Sequence, residues 1–106
     1  MFARRVYMHL KANSVPEFTQ RLEKQILPLL RKQKGFQDEI TFVGQSGTEA
    51  FAISLWDKAE DAEAYNRATY SEVTKVLASL VEGPAQVETF NVANSTFHKI
   101  AAAVAV

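Results

Sequence analysis

The residues of this sequence best suited to act on a small ligand are a histidine, three tyrosines and the single tryptophan. His9 lies in an alternating segment near the start, and its imidazole can act as a base, since the reference pKa is about 6.5. Tyr65 can steer a ligand or give it a proton through its phenol. We therefore predict catalytic roles for His9 and Tyr65. Planar ligands pack well on aromatic rings, so we predict substrate-binding roles for Trp56, Tyr70 and Tyr7.

Each of these side chains also has a purely structural interpretation. His9 would then be a polar residue on the side of the sheet away from the helices, hydrogen-bonded near the two-fold axis of a dimer. Trp56 would hold a strand to the next helix. Tyr65 would be an amphipathic residue at the rim of the core. His98 stands in the tail and is expected to be exposed. The acidic residues of the segment 60–63 are better explained by the positive end of a helix dipole than by a catalytic pair.

The sequence lacks the motifs that announce common cofactors. It has no cysteine, and its two histidines stand far apart, so it offers no metal-ligand spacing. It also has no glycine-rich phosphate loop and no nucleophile elbow. We expect no cofactor and no metal.

Length and charge narrow the class of protein further. The 106 residues predict a single domain, 1–106, in which the tail 98–106 packs on a dimer or stays disordered. Twelve basic residues balance twelve acidic ones, so nothing draws the chain to nucleic acid or to an anionic membrane. No apolar run reaches the ~20 residues of a membrane span. Without an export signal or disulfides, we expect a cytoplasmic protein.

Hydrophobic periodicity places the candidate residues on strands and helices. Alternation of apolar and polar side chains predicts strands at 2–12, 36–43, 49–56 and 87–92. A capping box at Ser14 opens a helix that Gly35 ends, and Pro28 should kink it. Two further helical pieces are expected at 58–68 and 70–82. The order β-α-β-β-α-β predicts an α+β, ferredoxin-like fold with a four-stranded antiparallel sheet, whose first and third strands are central.

The two faces of this sheet differ in polarity. The face expected to lie under the helices carries Val6, Met8, Leu10, Ile40, Phe42, Phe51, Ile53, Leu55, Phe90 and Val92, with Arg4 as an exception. The opposite face is mixed and carries Tyr7, His9, Thr41, Val43, Ala52, Ser54, Val87 and Thr89. It is too apolar to be fully wet, and no segment remains to cover it. We therefore expect a homodimer.

Three short stretches resemble one known family. They are Leu27–Phe36, where a helix runs through Pro into a Gly-Phe strand start; Ile53–Asp57, a strand ending in Trp; and Glu60–Tyr65, an acidic helix start. With the order of elements, they make the chain similar to the antibiotic biosynthesis monooxygenase family. The resemblance implies a dimeric α+β barrel whose two sheets face each other. It also implies oxidation of aromatic polyketide-like substrates without metal or flavin, haem degradation, or no reaction at all.

The haem-degrading branch fits this sequence poorly. It uses an Asn on the first strand, a Trp on the second helix and a His beyond it. The corresponding residues here are Arg4 or Arg5, Tyr65 and Lys75, so haem degradation is disfavoured.

The resemblance and the missing cofactor motifs together predict a cofactor-independent monooxygenase acting on a small aromatic, such as a quinol or a polyketide-like compound. The alternative is a non-catalytic dimeric domain that binds a ligand or regulates. In either case we expect a cavity between the sheet and the second helical pair. Tyr65, Trp56 and Tyr70 would border it, and the alanines along 59–68 would leave the room.

Overall fold

The structure, a computed structural model, describes residues 1–97, and these follow the predicted order β-α-β-β-α-β. The strands are β1 (Phe2–Leu10), β2 (Phe36–Val43), β3 (Glu49–Trp56) and β4 (Val81–Asn91). The helices are α1 (Val15–Arg21), a π-helical turn (Leu22–Ile26), α2 (Leu27–Arg31), α3 (Ala59–Ala68) and α4 (Tyr70–Leu77). No helix in this part of the chain is long and apolar enough to cross a membrane. The expectations for His98 and for the tail 98–106 lie outside the described residues.

The four strands form one antiparallel sheet in the order β2-β3-β1-β4. The predicted central position of the first and third strands is therefore confirmed. Strand β1 pairs with β3 on one side and with β4 on the other, and these two pairings fix which side chains stand side by side. The fold class, α+β with a ferredoxin-like arrangement of a four-stranded antiparallel sheet, is confirmed as well.

The first helical segment is interrupted where the sequence places a proline. Pro28 has no N–H to donate to the carbonyl four residues earlier. Immediately before it, the Leu27 N–H donates to the Leu22 carbonyl five residues back, which is π-helical geometry. The capping prediction at Ser14 was wrong in detail, because its hydroxyl donates to the Lys11 carbonyl at 2.5 Å and caps no helical N–H.

The last strand begins earlier than expected, at Val81, and α4 ends earlier, at Leu77. Gly83 and Pro84 predicted a helix stop, but they lie inside β4. They are tolerated there because the register with β1 shifts between Tyr7 and His9, so that the extra residues of β4 form a bulge. Gly83 has φ +73°, a backbone conformation that favours glycine.

The assignment of sheet faces was correct for β1 and wrong for the other three strands. Across the sheet, Arg4 stands opposite Ser54, and Val6 stands opposite Ala52 and Val87, all on the helix side. The helix side therefore carries Glu39, Thr41, Val43, Ala52, Ser54, Val87 and Thr89. The side without helices, called the open face below, carries Ala3, Arg5, Tyr7, His9, Ile40, Phe42, Phe51, Ile53, Leu55 and Phe90. Alternation separates two sets of residues but does not say which set faces the helices, and here both sets are apolar.

The core lies between the helix side of the sheet and the helices. Phe18 and Trp56 are completely buried in it. The indole ring of Trp56 packs edge-on against Phe36 at 5.5 Å and tilted against Tyr65 at 5.2 Å. This aromatic stack joins the start of β2, the end of β3 and α3.

Gly35, which precedes β2, lies close to Asp61 of α3 and forms a tight corner next to this aromatic stack. Its carbonyl accepts the Asp57 N–H at 2.8 Å, and its φ of +78° is left-handed. A Cβ at this position would lie 2.8 Å from the Asp61 Cβ and would collide with the Asp61 carboxylate. The corner therefore requires glycine for two reasons, the backbone conformation and the lack of space.

Substitution of two glycines should separate these two reasons. Gly83→Ala introduces only backbone strain, because no other atom would lie within 4 Å of the new Cβ, and it should cost about 1–2 kcal/mol of unfolding free energy. Gly35→Ala adds the collision with Asp61 and should cost clearly more free energy of unfolding. Equilibrium denaturation in urea measures both. Equal losses would show that Asp61 moves aside freely and that the corner is not tightly packed.

Candidate functional site

A cavity of about 450 Å³ lies between the helix side of the sheet and α4. Its floor is made by Val6 and Met8 of β1 and by Ala52 and Ser54 of β3, and its roof by α4, where Val73 and Leu77 point inward. The remaining lining residues are Arg4, Leu22, Leu30, Glu39, Tyr65, Tyr70, Thr74, Ala78, Val81, Gly83, Pro84, Ala85 and Val87. Binding sites for small molecules typically have volumes of about 300–1,000 Å³ and mostly apolar walls. This cavity has both properties.

The space exists because small side chains occupy the middle of the floor and one wall. Ala52 and Ser54 fill the positions on β3 where larger residues would reach α4, and Gly83 and Ala85 form the wall on β4. The predicted cavity thus lies where the sequence placed it, but its cause was wrong, since none of the alanines of the segment 59–68 lines it. Native cores tolerate few voids larger than a water molecule, so a cavity of this size is a candidate ligand site.

The roof is held in place by an arginine of the first helical segment. The Arg21 guanidinium donates to the Val76 carbonyl at 2.8 Å and to the Ser79 hydroxyl at 2.9 Å. The same side chain pairs with Glu17 at 3.0 Å. These bonds attach the end of α4 to α1. The start of α4 is held by its first residue, Tyr70, whose ring packs on the Arg4 guanidinium.

Three polar residues of the floor belong to one row across the sheet. Glu39 on β2 stands opposite Ser54 on β3, and Ser54 stands opposite Arg4 on β1. Neighbouring strands lie about 4.8 Å apart, so the backbones of Glu39 and Arg4 are about 10 Å apart. The Ser54 hydroxyl between them accepts a hydrogen bond from the Trp56 indole N–H at 2.9 Å.

Arg4 is the most unusual member of this row, because it is a charged residue with only 4% of its surface exposed. Its guanidinium donates to the Asn66 side-chain oxygen at 2.8 Å. The guanidinium carbon lies 4.1 Å from the centre of the Tyr70 ring and 5.4 Å from that of Tyr65. Cations are attracted to the faces of aromatic rings, so the two tyrosines help to hold the charge.

Tyr65 is buried beneath this cation. Burial raises the pKa of its phenol to about 12, because the charged form would lose its hydration, and the Arg4 charge only partly opposes this. Near neutral pH the Tyr65 hydroxyl therefore keeps its proton and can act as a hydrogen-bond donor. The Tyr70 ring packs beside it, with 6.2 Å between ring centres.

Glu39 supplies the carboxyl group of the cavity. It is half-buried at the end of the row, and burial raises the pKa of its carboxyl, although a hydrogen bond from the Thr41 hydroxyl partly opposes the shift. A carboxylate with a raised pKa is a stronger base than a free one. Glu39 also borders a second, more polar pocket of about 360 Å³ at the start of β2, next to Arg31 and Gln37. One carboxyl group thus borders both spaces.

The structure brings together some of the sequence-predicted residues and separates others. Tyr65 and Tyr70 line the cavity. Trp56 does not line it but packs behind Tyr65. Tyr7 and His9 lie on the open face, where their rings meet edge-on at 5.2 Å and the Tyr7 hydroxyl donates to Glu49 at 2.8 Å. The catalytic roles of His9 and Tyr65 and the binding roles of Trp56, Tyr70 and Tyr7 stay predictions.

Sequence reasoning missed the two charged residues of the site. Arg4 gave a signal, since it is a charge on the otherwise apolar face of the first strand. Glu39 gave none, because its strand was assigned the opposite phase. In the segment 1–97, the structure holds no group of three histidine or acidic side chains that could bind a metal ion. That the protein uses neither a cofactor nor a metal remains an expectation.

Solved structures with a similar fold give this site its context. A monooxygenase from the gene ActVA-Orf6 of Streptomyces coelicolor, in complex with the ligand nanaomycin D, superposes with a TM-score of 0.76 at 15% identity, over 89% of this chain and 88% of that one. A candidate antibiotic biosynthesis monooxygenase of Bordetella bronchiseptica has a TM-score of 0.74 at 13% identity, over 86% and 95%. A Nitrosomonas europaea protein of unknown function has 0.73 at 14%, over 90% and 91%.

These identities show the fold alone. The chain has the fold of the antibiotic biosynthesis monooxygenases, and the resemblance seen in the sequence is confirmed at that level. No family model matches the sequence. No curated protein matches it either.

The raised pKa of Glu39 predicts a pH-dependent effect on stability. A raised pKa means that the folded state holds this proton more tightly than the unfolded state does. Its contribution is therefore fully present below the unfolded pKa of about 4.3, and it is lost as the pH rises through the folded value. Glu39→Gln keeps a neutral side chain at every pH. It should unfold at higher urea concentration than the native protein at pH 7, and the difference should disappear near pH 4.

The control for this experiment is Glu23→Gln, which replaces an exposed carboxylate outside the cavity. It should leave the pH dependence of stability unchanged. If Glu39→Gln is less stable than the native protein at pH 7, the ionised carboxylate stabilises the fold, and the raised pKa of Glu39 is wrong.

Proposed function

We propose that the protein is a cofactor-independent monooxygenase that oxidises a small electron-rich aromatic, a quinol or a polyketide-like compound, in the cavity under α4. The observation that carries this proposal is the mostly apolar cavity of about 450 Å³ with a basic carboxyl and a protonated phenol at its wall. The shared fold supports it, since one neighbour with that fold is a monooxygenase solved with an organic ligand.

The reaction balances with oxygen and substrate alone. An aromatic substrate with a CH₂ group between its rings loses both hydrogens and gains a carbonyl oxygen. One atom of O₂ becomes this carbonyl oxygen, and the other leaves as water. The substrate supplies all four electrons, which is easiest once it has lost a proton and become electron-rich. The protein must therefore bind the substrate, remove a proton and keep water away from the reactive intermediate.

Residues of the cavity are suited to these three tasks. Glu39 would accept the substrate proton and release it to solvent through the second pocket, which it also borders. Tyr65 keeps its proton near neutral pH and would donate a hydrogen bond to an oxygen of the substrate or of the peroxide formed from it. Val6, Val73 and Leu77 would hold the rings and exclude water.

Oxygen uptake with a panel of anthrones and naphthalene hydroquinones tests this function. We expect the uptake of one O₂ for each substrate molecule oxidised, and this uptake should persist in the presence of a metal chelator. Glu39→Gln should lower kcat by about 10²–10⁴-fold, the usual contribution of a positioned base. Ala52→Phe fills the centre of the floor and should abolish turnover without unfolding the protein.

The matched control is Ala64→Phe, the same substitution at an exposed position of α3, which should leave turnover unchanged. Binding of these aromatics without oxygen uptake would favour the alternative, a non-catalytic ligand-binding domain. Equal turnover by the native protein and Ala52→Phe would move the reaction out of this cavity.

We also propose that the protein works as a homodimer whose two open faces pack against each other. Within the described residues no helix covers this face, and it carries several large apolar side chains, among which Ile40, Phe42 and Phe90 are 49%, 44% and 48% exposed. The rings of Phe42 and Phe51 stack at 4.9 Å and form an apolar patch. Exposed apolar patches of this kind mark interaction surfaces, and a symmetric partner presents the same surface.

A charge placed in this patch should break the dimer. Stable obligate interfaces bury more than about 2,000 Å² in total and are largely apolar, so Phe42→Asp should shift the protein to monomers in sedimentation velocity. Ala64→Asp introduces the same charge on the exposed side of α3 and should leave the dimer intact. A native protein that sediments as a monomer at micromolar concentration would contradict the proposal directly.

A further inference from the structure

Arg4 places a full positive charge inside an apolar cavity. Removing an ion from water is expensive, and a buried charge is normally compensated by an opposite charge or by a full set of hydrogen bonds. The Arg4 residue is 96% buried. Something must therefore compensate its guanidinium, and the surroundings of Arg4 show what is present and what is missing.

The chain itself supplies only part of this compensation. Among residues 1–97, no carboxylate lies within the 4.0 Å of an ion pair with Arg4, since the pairs formed there involve Arg5, Arg21 and Arg67. A guanidinium carries five N–H donors. In the same segment one of them has a protein acceptor, the Asn66 side-chain oxygen at 2.8 Å. The protein thus orients the guanidinium but does not neutralise it.

The other charged residue of the cavity does not take this role. Glu39 stands two strands away across the floor, about 10 Å between backbones, and Ser54 lies between them. No ion pair joins Glu39 to Arg4 among the described residues. Arg4 and Glu39 therefore stand at opposite ends of the row Arg4–Ser54–Glu39 across the sheet, and the floor of the cavity lies between them.

We propose that the ligand of this cavity is an aromatic acid, whose anionic oxygen pairs with Arg4 while its rings lie on the apolar floor. The aromatic part of this inference rests on the proposed function, whereas the acidic part rests on Arg4 alone. A guanidinium binds a carboxylate through two parallel hydrogen bonds, and a single phenolate oxygen can accept two of its N–H groups. Either pairing places the anionic end of the ligand beside Arg4. Asn66 and Tyr70 hold one side of Arg4 in place for such a pairing.

This pairing determines the orientation of the ligand. The anionic end lies beside Arg4 and Tyr70, and the far end of the ring system points toward Glu39. In the proposed oxidation, the carbon that loses a proton is thereby directed to the carboxyl that accepts it. A neutral aromatic of equal size would leave the guanidinium without a counter-ion and should bind in no fixed orientation.

Calorimetric titration of the full chain with three probes of similar size tests the inference. 2-Naphthoate supplies a carboxylate, 4-nitro-1-naphthol supplies a phenolate because it is ionised near neutral pH, and 2-naphthamide is the neutral control. At least one anionic probe should bind about ten- to hundredfold more tightly than the amide, the range of a charge-assisted pair of hydrogen bonds. The tighter of the two identifies the kind of anionic oxygen that the cavity prefers.

Variants then assign the preference to Arg4. Arg4→Met should reduce the ratio between acid and amide to about one. Arg4→Lys should keep part of the ratio, because it keeps the positive charge but loses the planar guanidinium with its paired N–H donors. Arg67→Met is the matched control, since it removes the same charge from a side chain that is 72% exposed on the same helix as Asn66, and it should leave the ratio unchanged.

Several results would overturn the proposal. They are equal affinity of the native protein for the amide and both anions, no binding of either anion at millimolar concentration, or a preference that survives Arg4→Met. The first two are read on the native protein, so they decide the matter even if Arg4→Met does not fold. Tight binding of an acid without oxygen uptake by any aromatic would sink the monooxygenase and leave this inference standing. Turnover of neutral quinols without any preference for acids would do the reverse.

Discussion

The pairing of β1 with both of its neighbours is the constraint on which the rest of the structure depends. β1 is central, so its alternation is imposed on β3 through one set of hydrogen bonds and on β4 through the other. Arg4 faces the helices, and Ser54 and then Glu39 must follow it in the same row. Arg5 faces the other way and takes the open face, where it pairs with Glu88 at 2.6 Å. A slip of one residue in β1 would exchange the buried cation for the exposed one and destroy the site.

The same constraint explains how far the sequence predicts the fold. The order of elements and the central strands follow from periodicity and from the rules of strand connection, and both were predicted correctly. The side of the sheet on which Phe51 and Ile53 lie was not predicted correctly, because both faces of these strands carry apolar side chains and alternation alone does not say which face meets the helices. The bulge at Gln37 and the one beside Gly83 add residues without adding a turn, and periodicity does not register either of them.

The residues that the sequence placed correctly at the cavity follow from local features of the chain, and those that it missed depend on packing. Tyr65 and Tyr70 were placed near a cavity because a helix break between them could be read from the sequence, and both line it. The size of the cavity depends on Ala52, which looks like an ordinary strand residue until its partners across the sheet are known. Glu39 is equally unremarkable in the sequence, and only the register shows that it shares a row with Arg4.

The proposed site and the proposed dimer interface lie on opposite faces of the sheet. Every described residue that lines the cavity belongs to the helix side of the sheet, to β4 or to the helices above it. The apolar patch around Phe42 and Phe51 is on the other side of the same strands. Consecutive side chains on a strand point to opposite faces of the sheet. Arg4 therefore faces the cavity, and its neighbour Arg5 faces the open face. A partner that packs on the open face would therefore stiffen the floor of the cavity through β1 without contributing a side chain to it. Such a floor would keep Arg4 and Glu39 at a fixed separation, which an oriented ligand requires.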